Sequence, residues 1–353
     1  MVFLLRAGFS KAVSHHMPLT QELGGQVAAA VARMEGEVSR TSDPLAERRP
    51  SAEEELAAFQ GDVERWLSHL AERQPWLSET QRLSNPWLSE TQRLSNRARF
   101  ERAQEVIAHS MQASQVHAYM DPPPPWLVQL IRYWVHLETT VLTFNYDCLV
   151  EAAYDHVRGS PPVSWRDLYV VPVTPVQLRT GTVVTGHGVR AFSLLKLRGS
   201  TNWYYSPEPN RPPGDPVYDV GIGPGWGADR SDNRVHDRLV EDKRPVIVPP
   251  TLTKTDYYSH DLVRAQWREG ADALRSANEL VVMGYSAPAA DFLARTLLTT
   301  CFDGTIIVPV DTASDVTDRL RSIVNSDRSR VVPCFTGAEE PVRRFVEYRC
   351  NVG

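Results

Sequence analysis

The chain begins with an unbroken apolar run, Val2 to Leu5, followed by the small-residue turn RAGFS (6–10) and then by helical spacing. A short run with no polar alternation, closed by a turn, predicts a strand buried on both faces. LTQELGGQVAAAVARMEGEV (19–38) has its apolar residues at helical spacing despite a glycine pair. A polar connector (39–55) leads to a helix near 53–72, and helical patterning returns at 97–120 and 126–138, on either side of the Pro122–Pro125 run. From residue 139 the rhythm changes. TTVLTF (139–144) is β-branched and apolar, NYDCLVEAAYDHV is helical, and strands are expected at 168–173, 182–185 and 191–197. The Pro/Gly/Asp-rich stretch 206–233 has loop chemistry. PVIVPP, a helix at 260–277, strand ELVVMGYS, a helix from Pro288, strand TIIVPVD, a helix at 314–325, strand RVVPCF and a final helix then alternate.

Alternating strands and helices imply parallel βαβ units. The fold expected is α/β: a Rossmann-like, doubly wound, mostly parallel sheet with a helical insertion. Residues 20–138 form that insertion, 139–353 form the main portion, and strand 2–6 completes it as a single domain over 1–353. Within the insertion PWLSETQRLSN stands at 75–85 and again, letter for letter, at 86–96. Two copies do not make a solenoid, and Pro86 interrupts any helix running through the junction. The reading is a local duplication within a helical insert. Its tryptophans, Trp66, Trp76, Trp87, Trp126 and Trp134, are expected to pack internally.

Composition narrows the function. Of the 353 residues 42% are hydrophobic and 23% charged, with a net charge of −5, so neither direct nucleic-acid binding nor anionic-membrane binding is expected. The four cysteines, Cys148, Cys301, Cys334 and Cys350, include no C-x-x-C pair and indicate no structural zinc. No signal segment or membrane-length apolar run is present in the sequence, which reads as cytoplasmic.

Ligands of doubly wound sheets lie beyond the carboxyl ends of the strands, and polar or glycine-bearing turns stand at four such ends. In RAGFS, Gly8 permits close backbone approach, and Ser10 is placed to cap the following helix. In FNYD, Asn145 and Asp147 leave a buried strand together; a helix cap would explain them equally well. KLRGSTNW (196–203) brings Gly199 and Ser200, and GYSAPAAD (284–291) brings Gly284, Ser286 and Asp291. Asp311 ends TIIVPVD, where it could meet a ribose hydroxyl or cap the next helix.

In order and spacing, RAGFS with MPLTQELG, TFNYDCLVE, KLRGSTNWYY, VPPTLTK and GYSAPAAD together resemble the bacterial SIR2-like (sirtuin-related) NAD hydrolases of antiphage defence, over nearly the whole chain. The resemblance implies a single SIR2-like domain, with NAD+ as substrate and no metal. It implies hydrolysis to nicotinamide and ADP-ribose as an abortive-infection response. Without a paired-cysteine zinc module, protein deacylation is the weaker choice. By position, Ala7, Gly8 and Ser10 would hold the phosphates, while Asn145 would place a water or the nicotinamide ribose and Asp147 would support it. Gly199, Ser200, Gly284, Tyr285 and Ser286 would line the dinucleotide, with Asp311 on a ribose. An effector that destroys NAD+ must be held off, so a homo-oligomer or a separate defence partner, an ATPase or an Argonaute-like protein, is implied.

Two positions depart from the family. Arg6 stands where the turn carries glycine, and Arg198 where K-L-H-G-S carries the catalytic histidine. An arginine cannot act as a general base near neutrality, and general acid–base help is worth about 10²–10⁴-fold. A catalytically inactive NAD/ADP-ribose-binding subunit is therefore the alternative. As substitute bases, His187, His15, His16, His117 and His136 have no special claim.

Overall fold

The computed structural model describes residues 1–39, 50–71, 86–158, 165–171, 174–175, 192–206, 217–222, 225–226, 243–250, 261–288, 291–324 and 328–350. The chain divides into two compact units: Met1–Met17, Met111–Ile247 and Asp256–Gly353 form one, and Pro18–Ser110 with Val248–Thr255 the other. Residues 111–138, inside the span read from the sequence as an insertion, group with the first unit.

The first unit is built on a seven-stranded sheet in which every pairing is parallel. Strand β1 (Val2–Leu5) lies between β2 (Thr140–Thr143) and β8 (Glu279–Met283). β4 (Ser193–Lys196) flanks β2, and β9 (Ile306–Asp311) flanks β8. Two short pieces, β10 (Arg330–Val331) and β11 (Phe335–Thr336), pair in turn with β9. Numbered by appearance within the sheet, the order is 3-2-1-4-5-6, that of a Rossmann sheet, with its reversal between β1 and β8.

All four residues of β1 are buried because helices cover both faces. Phe3 points to one side, where its ring centroid lies 5.4 Å from Trp134 of α6 (Pro125–Leu137) and 6.1 Å from Phe345 of α11 (Pro341–Arg349). Val2 and Leu4 point to the other, into a core with Leu142, Leu195 and Val282. That core also holds Leu274 of α8 (Asp261–Ser276), Leu297 and Leu298 of α9 (Phe292–Cys301), and Leu320 of α10 (Val316–Arg321).

Beside it stands a four-stranded sheet, β3 (Thr174–Pro175), β6 (Val217–Asp219), β5 (Gly199–Tyr205) and β7 (Arg244–Ile247), in that order. β5 is antiparallel to both its neighbours. Gly199 has φ +82°, and a Cβ there would fall 2.0 Å from the Val246 carbonyl oxygen. A glycine is required by the approach of β7.

The second unit contains α2 (Thr20–Ser39), α3 (Ala52–Ala58), α4 (Val63–Ala71) and the first part of α5 (Pro86–Ala118). Ser51 and Glu54 form a reciprocal capping box on α3. The Arg99 guanidinium, buried on α5, meets Glu35 at 2.6 Å and Glu55 at 2.7 Å. Trp66 is fully buried, its indole N–H on Glu55 at 3.2 Å.

Several boundaries differ from the sequence reading. The helix expected at 53–72 is two helices, broken at Gln60 and Gly61, both at positive φ. Where a strand is expected at 168–173, the described residues 168–171 hold the end of a 3₁₀ turn at Trp165–Leu168 and a single bridge from Tyr169 to Leu194, and 172–173 lie outside the described residues. β6 falls inside the stretch read as loop. Pro86 is the first residue of α5, where its missing N–H costs nothing. The first copy of the duplication, the strand expected at 182–185 and His187 lie outside the described residues.

Candidate nucleotide site

The carboxyl ends of β1, β2, β4, β8 and β9 share one edge of the parallel sheet, and the order reversal sits between β1 and β8. Here Gly8 and Gly284 touch. A Cβ on Gly8 would fall 2.8 Å from Gly284 Cα; one on Gly284, whose φ is +64°, would fall 2.1 Å from Phe9 N. Both glycines are needed for backbone to pass against backbone. The contact also uses their polar groups, since Gly8 N–H donates to Gly284 C=O at 3.1 Å. Helix α1 (Ala7–Val13) starts one residue after β1, so RAGFS is its first turn. Two expectations are thereby corrected. Ser10 lies inside the helix and does not cap it, and the Gly8 N–H is engaged by Gly284 rather than offered to a phosphate.

Ser10 instead links two elements. Its buried hydroxyl accepts from Asn145 Nδ2 at 2.8 Å and donates to Asp147 Oδ2 at 2.6 Å. Asp147 Oδ1 accepts the Leu149 N–H at 3.2 Å, at the start of α7 (Leu149–Arg158). Three expected site residues, Ser10, Asn145 and Asp147, thus form one hydrogen-bonded chain. Burial pushes the Asp147 carboxyl above its ordinary pKa, against the pull of the Lys196 charge and the Ser10 hydrogen bond.

Beneath this chain runs a buried polar seam that the sequence reading missed. Lys196, fully buried at the end of β4, donates to the Asp147 carbonyl at 2.6 Å and to Glu151 Oε1 at 2.9 Å. Tyr169 donates to the same Glu151 oxygen at 2.8 Å, and Asn202 Nδ2 reaches Asp219 at 3.1 Å. Burial alone would lower the Lys196 pKa, but Glu151, Cys148 and Asp147 together outweigh it and the ammonium is held above its ordinary value. Ser200, expected along the dinucleotide, is fully buried and donates to the Tyr146 carbonyl at 3.3 Å. Cys148 is buried beside it, its thiol pushed up to about 12 by burial and therefore inert.

The two departing arginines converge. Arg6 meets Asp291 Oδ2 through Nη1, and Arg198 Nη2 meets Asp291 Oδ1 at 2.9 Å. All three side chains are more than nine-tenths buried. The Phe144 ring lies 5.7 Å from the Arg6 guanidinium and 5.2 Å from that of Arg198, and Tyr285 lies 5.0 Å from Arg6. Tyr285 is a core side chain, packed also on Phe144. Ser286 is exposed, and its carbonyl accepts from Arg319 at 2.8 Å. Asp311 accepts the Ala313 N–H at 2.9 Å in a local turn and caps no helix, since the N-cap of α10 is Asp315; burial raises its pKa. His15 stacks on His16 with ring centroids 3.9 Å apart, and His16 lies 5.5 Å from His117; all three are exposed.

The donor set suits an anion: two guanidinium forks at the ends of β1 and β4, with a serine–amide–carboxylate chain between α1 and the end of β2. Among the described residues no three His, Cys, Asp or Glu side chains gather as metal ligands would, and no helix is long and apolar enough to cross a membrane.

No family model matches the chain, and no curated protein matches it. Among solved structures it is similar to a Sir2 enzyme at 14% identity and a TM-score of 0.34, over 71% of this chain and 81% of that one. It is also similar to a Phe-to-Ala variant of a Sir2 homologue in complex with ADP-ribose, at 15% identity and a TM-score of 0.35, over 79% and 88%.

Proposed function

We propose that the chain binds NAD+ or ADP-ribose across the crevice between β1 and β8, and that in this form it holds the dinucleotide without turning it over efficiently. The observation that carries the proposal is the convergence of Arg6 and Arg198 beside the order reversal, where ligand phosphates lie in sheets of this order. Guanidinium forks suit pyrophosphate oxygens. The motif resemblance described above supports NAD+ or ADP-ribose as the dinucleotide. At the position of the family's histidine, Arg198 is ion-paired and unable to take a proton.

A second reading, the NAD+ glycohydrolase of an antiphage abortive-infection system, is favoured by the Asn145–Ser10–Asp147 chain. Nicotinamide leaves as a good leaving group, so an amide that positions the attacking water and a nearby carboxylate supply much of what hydrolysis needs. In that reading the chain acts in the cytoplasm, restrained by self-assembly or by a partner.

Calorimetric titration with ADP-ribose and chromatographic assay of nicotinamide release from NAD+ test both readings. Binding without release is expected. Release that disappears in Asn145→Ala establishes the hydrolase. Absence of ADP-ribose binding, both in the unmodified chain and in a variant lacking the Asp291 carboxylate, overturns both.

A further inference from the structure

The Arg6–Asp291–Arg198 cluster is built unevenly. Both cations stand on fixed elements. Arg6 follows β1 directly, its N–H bonded to the Met283 carbonyl at 3.1 Å, and Arg198 occupies the turn into β5 that Gly199 and β7 pin. The anion does not. Asp291 lies on the connection from β8 to α9, after Ala287 at φ +48°. It holds the N-cap position of α9 with a non-helical backbone, yet its carboxylate makes no cap hydrogen bond. An aspartate there ordinarily bonds the free N–H groups of its own helix. This one is turned to the two guanidiniums instead.

The match is also incomplete. The three groups carry two positive charges and one negative. Among the described residues Arg198 Nε–H has no hydrogen-bond partner, although the side chain is only 4% exposed. A buried donor left so is costly, and a carboxylate has only two oxygens with which to answer two five-donor forks. A pyrophosphate has more oxygens and more charge.

We infer that Arg6 and Arg198 form an anion-binding fork for a ligand pyrophosphate, and that Asp291 occupies it as an internal stand-in which must leave for the ligand to enter. The inference rests on the nucleotide reading above and adds its regulation: the site is held shut by the protein's own carboxylate. A ligand-side affinity measured on the unmodified chain contains the cost of displacing Asp291.

Asp291→Asn tests this. Inorganic pyrophosphate and ADP-ribose are titrated calorimetrically into the unmodified chain and the variant, and thermal unfolding is followed against pyrophosphate and against KCl at matched ionic strength. Losing one charge-assisted competitor should tighten pyrophosphate binding by about tenfold or more, and Arg198→Met in the Asp291→Asn background should cancel the gain. Should the variant fold only when pyrophosphate is present, that rescue supports the fork. Equal or weaker pyrophosphate binding, stabilisation matched by KCl, or a variant that pyrophosphate fails to rescue overturns it. The two levels separate cleanly. Tighter pyrophosphate with no ADP-ribose binding in either form refutes the nucleotide reading and leaves the fork; ADP-ribose binding without the gain refutes the stand-in alone.

Discussion

Ser10→Ala removes a single hydroxyl, but that hydroxyl serves two buried partners. Asn145 Nδ2 loses an acceptor at 2.8 Å, and Asp147 Oδ2 loses a donor at 2.6 Å. Leaving a buried polar group unsatisfied costs about 1–3 kcal/mol, more when it is charged, so two orphaned groups imply a loss of roughly 2–6 kcal/mol. The loss should depend on pH. The folded pKa of Asp147 is already raised by burial, and the Ser10 hydrogen bond is among the groups that hold it down. A raised folded pKa contributes stability that is fully present below the unfolded value, near 3.9, and is lost as pH rises through the folded value. Deleting the hydroxyl raises the folded value further, so more is lost at neutral pH. Urea unfolding of both proteins at pH 7 and at pH 3.5 should show the larger difference at pH 7. A difference under about 0.5 kcal/mol, the level of an ordinary surface substitution, or an equal difference at both pH values, would refute the hydrogen-bonded chain.

Lys196→Met should cost about 3–5 kcal/mol in urea unfolding, because it strands Glu151 without its buried counter-charge. Adding Glu151→Gln should recover much of that loss, and equal stability of the single and double variants would argue against the pair. Gly284→Ala places a Cβ on backbone at positive φ and should lower the denaturation midpoint more than alanine at Gly25, a helical glycine with open space. Matching midpoints would count against the close approach of β1 and β8.

How much of this was legible in the sequence follows from what each feature depends on. β1, β2, β8 and β9 announce themselves as apolar runs because burial on both faces leaves no room for polar alternation. Their order does not, since pairing is set by contacts between distant segments. β6 was hidden for a related reason. It is three residues long, in a stretch rich in Pro, Gly and Asp, and it exists because β5 offers it an edge. Gln60 and Gly61 break a helix whose apolar spacing continues almost unchanged across them. The Ser51–Glu54 box and the start of α5 at Pro86 follow from neighbours in the chain, although apolar spacing alone starts those helices near 53 and 97.

At the candidate site the sequence marked turns that the structure brings to one edge of the sheet, and several of their residues serve the fold. Gly199, Ser200 and Tyr285 stand beside the strand ends, yet each is used by the fold: Gly199 admits β7, Ser200 holds the Tyr146 carbonyl, and Tyr285 fills the core. Lys196 and Glu151 carried a weak signal, each a charge set among apolar residues of a buried element, in SLLKL and LVEAAY. Arg6 and Arg198 looked like two unrelated departures because 191 residues lie between them in the chain. Folding makes them one feature, joined through the two oxygens of Asp291. That changes what a single substitution at either position would do. Arg198→His leaves Arg6 on Asp291, and Arg6→Gly leaves Arg198 there, so neither change alone leaves Asp291 without an arginine partner. Side chains that share one buried partner act as a unit, and the carboxylate they share is the position through which both must be understood.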